Sequence, residues 1–397
     1  MKWASGISRT TAFEEAVSEC AEAVESGLGG AEVSLLFAFV TPHFAAHFDR
    51  LHSLVSDRLN PVCFIGCSGG GVLGAGREVE GEPAVSLIGA SLPGVEVKPF
   101  RIESHEQLPD LDGPPEAWER VIGIDPKDDP ALILLSDPFS SRTESLLSGL
   151  DYAYPSSPKV GGLVSGGTSP GTNSLFLDQK VYGSGSVGVA LSGDVLVDTV
   201  VAQGCRPIGD LFTVTDCDGN YLHELDGQPA LEVVRRMFSE LEEEDFTLAR
   251  NALFVGVLMD EFTEDPGSGD FLVRNVMGFD PQQGSLAVGE RLQPGMRLRF
   301  HVRDARTSAE DLRLLLDAYS EGSQNIPPDG ALLFSCLGRG VNLYREPDFD
   351  SSLLAERVGE IPVGGFFCNG EIGPVGASTF LHGYTSSFAL FRPKPRT

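Results

Sequence analysis

One pattern occurs three times in this chain, and it constrains the fold more than any other feature. An apolar strand runs into a turn, a helix follows, and a second strand returns to a glycine. In the first copy VSLLFAFVTPHF ends its strand at Thr41, and Pro42 suits the first turn of a helix. Phe44, Leu51, Leu54 and Val55 follow near helical spacing, and VCFIG returns to Gly66. In the second, ALILLSDPFS reaches Ser136, with Asp137 and Pro138 in the turn. A helix carries Leu146, Leu147 and Leu150, and PKVGGLVSGG returns at Gly161. In the third, GALLFSCLGRG reaches Ser335 and Cys336, DFDSSLLAERV supplies a short helix, and IPVGGFFCNGE returns at Gly364. The step from strand-end hydroxyl to returning glycine is 25, 25 and 29 residues. A further strand closes each copy: AVSLIGASL, GSVGVALSG and TSSFALFRP. A duplicated βαββ module accounts for this self-similarity. The recurring glycine calls for positive φ or a close approach of backbone.

Between the second and third copies lies different material. VLVDTVVAQGCRPIGDLFTVTDCDGNYLHELDG reads as strands with a hairpin at Asp218-Gly219. QPALEVVRRMFSELEEE is a helix with Leu231, Val234, Met237, Phe238 and Leu241 on one face. ALFVGVLMD, FLVRNVMGFD, GSLAVGERL and MRLRFHVRD follow as strands, and Thr307 with Glu310 forms a capping box before DLRLLLDAYS. The expectation is an α+β protein of two domains, residues 1–228 and 229–397, built from related βαββ modules with mixed sheets covered by helices.

At 397 residues and 41% hydrophobic content, the chain can bury two cores. No run of about 18 uncharged apolar residues is present, which argues against a membrane span. The start, MKWASGISRT, leads into the acidic amphipathic AFEEAVSECAEAV, unlike a signal or transit peptide. Seven cysteines, an odd number widely spread, point to reduced thiols in a cytoplasm. The formal charge of −28 works against nucleic acid and anionic membranes and favours solubility.

The stretch VCFIGCSGGGVLGAG, Val62 to Gly76, leaves open a phosphate cradle, a thiol nucleophile or a tight turn. The Lys of G-x-x-x-x-G-K-[ST] is absent, and another strand follows where a phosphate site needs a helix. Only Arg77 lies nearby. A tight turn shaping a pocket is the reading that remains.

The order GCSGGGVLG, GCRPIGDLFTVTDCDGNYLHELDGQPALEVV, FLVRNVMGFD, LLFSCLGRG and VGGFFCNGEIGP resembles the FIST family (F-box and intracellular signal transduction). The resemblance spans roughly residues 30 to 390 and both halves of that family. It implies a small-ligand sensory module, with amino acids among the ligands proposed for the family. No F-box, kinase or cyclase segment remains after both halves are placed, so signalling would pass to an unknown protein partner in trans. No cofactor, metal, nucleic acid or membrane is implied.

The binding set on this reading is the glycine turns with their strand-end polar groups: Cys67, Ser68, Gly69, Gly70, Cys336, Arg339, Gly340, Asn369, Gly370 and Glu371. Arg339 would lower the Cys336 thiol pKa, and Cys336 is either a reactive, ligand-contacting thiol or a buried strand-end residue. Glu371 meeting Arg339 would bind an amine or form a structural salt bridge. His382 is a candidate partner for Cys336, which gives the alternative of a thiol-dependent enzyme. A scaffold with an acidic protein-binding surface is the other rival. Cys63 suits core packing, and a disulfide with Cys67 along one strand is geometrically poor. His43 and His47 are spaced i, i+4 with His52 beyond, but the glutamate of H-E-x-x-H and a third ligand are missing.

Overall fold

A computed structural model describes residues 1–103, 108–111, 113–322 and 326–395. The chain is α+β. Each sequence copy forms a leading strand, a helical crossover, a parallel returning strand, a hairpin and a closing strand. The leading strands are Leu35–Val40, Ala131–Ser136 and Gly330–Cys336. The returning strands are Cys63–Ser68, Lys159–Leu163 and Val363–Cys368. The closing strands, Val85–Ser91, Ser186–Gly193 and Thr385–Pro393, run antiparallel to their leading strands. Chain reversal after a parallel pair needs a crossover, and helices supply it in each copy.

The hairpin between returning and closing strands does not stay in its own sheet. The first copy's hairpin, Gly71–Gly74 with Arg77–Glu80, pairs with the third copy's returning strand. The second copy's hairpin, Leu175–Leu177 with Lys180–Tyr182, pairs with the first copy's returning strand. The third copy's hairpin strand Glu371–Val375 pairs with the second copy's returning strand. The exchange is therefore cyclic, and each module completes another's sheet.

The glycine pattern follows from this register. Gly66 lies opposite Ala38 in the parallel ladder and opposite Phe176 of the incoming hairpin. Gly161 lies between Leu134 and Ile372, and Gly365 between Leu333 and Leu73. A Cβ at these three glycines would stand 1.9, 1.8 and 1.8 Å from the carbonyl oxygens of Ala38, Leu134 and Leu333. Close approach explains all three. The third equivalent glycine is thus Gly365, one residue beyond the position expected from spacing. Gly364 instead faces Ile88. Register also shows that Ser136 and Ser335 occupy the rung of Val40 rather than Thr41, because spacing alone cannot see a one-residue slip.

The leading strands are buried on both faces. Leu35, Phe37 and Phe39 point into a core shared with Ile133, Leu135, Leu332, Phe334 and Phe366. Leu36, Ala38 and Val40 face the helix Phe13–Leu28 through Val17, Ala21 and Val24. In the second copy Leu132 and Leu134 meet Trp118, Leu146, Leu147 and Leu150 on the outer side. Such two-sided burial is why these strands read as continuous apolar runs rather than alternating ones.

Two compact units result, interleaved in sequence. One holds residues 1–201, 313–381 and 385–397, and so contains all three copies. The other holds residues 202–312 and 382–384. In the second unit, strand order runs Cys205–Asp218, Arg297–Arg303, Leu253–Leu258, Phe271–Asp280, Ser285–Val288, Tyr221–Leu225, and the last pairs back to the first. The antiparallel ring closes on itself, which removes its open edges. The helix Ala230–Glu240 packs Val233, Val234 and Met237 into the same core.

Two local expectations shift. The hairpin turn is Gly219-Asn220, since Asp218 pairs with Tyr221 and Gly219 takes the positive φ of 61° that its first central position needs. The helix expected to cap at Thr307 begins at Ala305, because Asp304 Oδ1 accepts from the Arg306 and Thr307 N–H groups. Among the described residues, no helix is long and apolar enough to cross a membrane.

The carbonyl contacts give a direct test. Gly66→Ala and Gly365→Ala should each lose more than about 4 kcal/mol or fail to fold, since backbone must move. Gly278→Ala, whose Cβ meets nothing within 4 Å, should stay within about 0.5 kcal/mol in urea unfolding. Similar losses at all three positions would contradict the register argument.

Candidate functional site

The carboxyl ends of the parallel strands are where open α/β sheets place their ligand groups. Here the third copy concentrates polar chemistry at that end. Cys336 ends the leading strand half-buried, with Phe334 two residues earlier on the same inward face. The backbone then turns, and Arg339 folds beneath the short helix Gly340–Tyr344 with 0% exposure.

Arg339 does not pair with Glu371. Its Nε and Nη2 bond Asp350 Oδ2 and Oδ1, each at 3.0 Å, and Nη2 also reaches the Tyr344 hydroxyl at 2.5 Å. Asp350 sits in the first turn of the helix Phe349–Arg357 and accepts further bonds from Ser335 and Ser386. Burial opposes the Arg339 charge, but Asp350 outweighs it, helped by Tyr344 and Cys336, and the guanidinium stays above its ordinary range. Burial opposes the Asp350 charge as well, yet Arg339 and the two serine hydroxyls bring that carboxyl below its usual range. The pair is fork-to-fork and doubly hydrogen-bonded, the geometry that a buried ion pair requires.

Glu371 begins the exchanged hairpin strand and is fully buried. Its Oε2 accepts the Thr385 N–H at 3.1 Å, and the Cys336 thiol bonds the same carboxyl group. Burial pushes its pKa well above the usual carboxylate range. The Thr385 N–H, Arg339 and the Cys336 thiol oppose that only in part. Glu78, on the hairpin strand Arg77–Glu80 contributed by the first copy, accepts the Ser351 N–H at 2.8 Å. Burial, then Asp350, raises its pKa to about 8. Among the buried atoms here without a hydrogen-bond partner are Glu371 Oε1, Arg339 Nη1 and Glu78 Oε2. Buried polar atoms are normally satisfied, so orphans beside the Arg339–Asp350 pair call for an explanation.

The first and third turns do come together, through a residue that the sequence reading missed. Ser165 of the second copy donates to the Phe367 carbonyl and accepts from the Gly70 N–H at 2.8 Å. A Cβ on Gly70 would lie 2.7 Å from Leu337 Cδ2. Ser68 donates to the Ser165 carbonyl and accepts from the Ser174 N–H, a structural role. Cys67 is buried in the shared core and interacts with Cys368. Gly69 packs against Phe366, and Gly340 takes a φ of 57° under the Glu80 carboxylate, which accepts the Val341 N–H. Asn369 is exposed and Gly370 is buried.

Clefts of about 390 and 570 Å³ open on the surface. The first is lined by Glu25, Arg58 and Val62, the second by Gly76, Ser351 and Pro362. Neither includes a candidate residue. The histidines of the first copy pack instead: His47 stacks on Phe13 and His52 meets Phe64 edge-on. Asp350, Tyr344, Glu78 and Ser165 escaped sequence reasoning. The E-x-E of REVE was the one available signal, because strand alternation puts Glu78 and Glu80 on the same side.

The chain matches the FIST N domain over residues 34–228 and the FIST C domain over residues 230–374. An uncharacterized protein of Mycobacterium tuberculosis is 35% identical over 393 residues, 98% of this chain and 100% of that one. One of Mycobacterium bovis is 35% identical over 398 residues, 98% of this chain and 99% of that one. A crystal structure of cyanuric acid hydrolase from A. caulinodans aligns over 99% of this chain and 100% of that one, with a TM-score of 0.36 and 11% identity.

Two measurements check the site. Below about pH 4.3 Glu78 is protonated both folded and unfolded. Between there and about 8 the folded chain holds the extra proton, so stability falls as pH rises. Glu78→Gln should flatten that decline in urea unfolding at pH 5, 6.5 and 8; an unchanged slope would contradict the buried-carboxyl account. Asp350→Ala should cost about 3–5 kcal/mol by stranding the Arg339 charge, a loss that the double variant Asp350→Ala/Arg339→Met recovers in part.

Proposed function

The chain belongs to the FIST family, and from that membership and the buried groups around Cys336 we propose a small-ligand-binding sensory protein acting in intracellular signal transduction. The observation that carries the reading is the unsatisfied trio of Glu371 Oε1, Arg339 Nη1 and Glu78 Oε2. Two are acceptors and one is a donor. A zwitterionic amino acid matches both: its ammonium would serve the carboxyl oxygens, and its carboxylate the remaining Arg339 N–H. Entry would pass the half-buried stretch at Cys336 and Gly338, where the wall is least closed. On this reading output passes to a signalling protein in trans. Seven cysteines without a disulfide fit a reducing cytoplasm.

The chemistry of Glu371 sets how binding would respond to pH. Burial keeps its carboxyl protonated above the usual range. A ligand ammonium favours the ionised form, so binding releases a proton and tightens as pH rises toward the free-state pKa of Glu371.

One observation favours the second reading, a thiol-dependent enzyme. The Cys336 thiol bonds the Glu371 carboxyl, an arrangement that sets a proton-transfer group beside a nucleophile. His382 is not needed for that pairing. Turnover separates the two: an enzyme returns an altered molecule that depends on Cys336, and a sensor returns the molecule unchanged.

Thermal unfolding with a panel of free amino acids tests the sensor reading. A ligand at a hundredfold excess over its Kd should stabilise the protein by about 2.7 kcal/mol. Glu371→Gln should abolish that shift while the unliganded protein still folds. A shift of the same size in Glu371→Gln would remove this site from consideration.

A further inference from the structure

Cys336 and Cys368 are direct partners in the parallel ladder of strands Gly330–Cys336 and Val363–Cys368. Two residues up the same ladder, Phe334 is paired with Phe366, and their rings meet edge to face at 5.9 Å. Side chains repeat faces every second residue. The two sulfurs therefore occupy the next rung on the same inward face, and each thiol feels the other electrostatically. Neighbouring strands stand about 4.8 Å apart, inside the Cα separation of about 4.4–6.8 Å that a disulfide spans.

The surroundings divide the pair into two roles. Cys336 is half-buried, so an oxidant can reach it, and its thiol bonds the Glu371 carboxyl. Cys368 is fully buried, and its sulfur fills the space left by Gly162, where a Cβ would stand 2.4 Å from Sγ. Glycine at that position in the second copy's returning strand leaves room for a sulfur against the backbone. The position of Cys368 behind Cys336 is that of a resolving thiol, and Cys67, also near Cys368, is fully buried with no such access.

We propose that Cys336 and Cys368 are a peroxide-responsive thiol pair that closes to a cross-strand disulfide. The Cys336 thiol loses its proton to water, and the thiolate sulfur attacks the outer oxygen of a hydroperoxide. The O–O bond breaks, Cys336 becomes a sulfenic acid, and the other oxygen leaves as alcohol (or water) with the proton of the Glu371 carboxyl, which water then restores. The Cys368 sulfur then attacks the Cys336 sulfur. The S–O bond breaks, and hydroxide departs as water with the Cys368 proton. Two thiols are oxidised, one hydroperoxide is reduced, and a dithiol reductant reverses the change. Closure removes the thiol from Glu371, so the state of the pair alters the neighbouring carboxyl. The proposal does not depend on which ligand, or whether any ligand, binds there.

The full-length protein treated with equimolar hydrogen peroxide, alkylated under denaturing conditions and digested, provides the test. The expected result is a linked peptide pair containing Cys336 and Cys368, lost on reduction with dithiothreitol. Cys368→Ser, or Cys368→Ala if serine prevents folding, should accumulate Cys336 sulfenic acid that a 1,3-dione traps. Glu371→Gln should slow linkage about tenfold or more, without abolishing it. A Cys67–Cys368 link, or oxidised Cys336 with Cys368 still fully alkylated, would overturn the proposal.

Discussion

Each returning strand in this protein is a central strand whose second neighbour comes from a different module. Strand edges that are left unpaired bind whatever they meet, and burying them unpaired costs backbone hydrogen bonds. The cyclic exchange of hairpins meets that requirement three times within one chain. It also makes the modules interdependent, since no copy can complete its sheet alone. The paired glycines at 66, 161 and 365 belong to the same constraint, because the central strand runs so close to the leading strand that a Cβ would strike its carbonyl.

The exchange also assembles the polar site. Glu78 arrives on the first copy's hairpin, Arg339, Asp350 and Cys336 come from the third copy, and Ser165 of the second joins the turns of the other two. The hairpin that carries Glu371 completes the second copy's sheet, while its carboxyl remains with Cys336. Arg339 pairs with Asp350, while burial keeps Glu371 protonated beyond its ordinary range, with one oxygen unserved. The Arg339–Asp350 pair supports these buried groups, and buried pairs of good geometry are costly to break from one side.

Much of this was legible in the chain. The three apolar runs, their helices and their glycines are visible because continuous burial leaves an unbroken hydrophobic signature. The concentration of chemistry at Cys336, Arg339 and Glu371 also follows from the turns that hold them. Exchange of the hairpins was not legible, since no local pattern says which sheet a strand joins. Without it, Glu78 has no reason to lie near Asp350, and Arg339 has Glu371 as its nearest apparent partner. The slip from Gly364 to Gly365 has the same origin, because register is set by the partner strands rather than by spacing. Asp304 took the cap from Thr307 because its carboxylate reaches two N–H groups at once.

The account stands on the claim that the unserved atoms around Cys336 hold a small zwitterion. Mass spectrometry of the small molecules released on denaturing the purified protein tests it most directly. The predicted result is a molecule carrying ammonium and carboxylate groups, stoichiometric with wild-type chain and absent from folded Glu371→Gln. Recovery of the same small molecules in the same amounts from both proteins, or of none bearing those groups from the wild type, would contradict it.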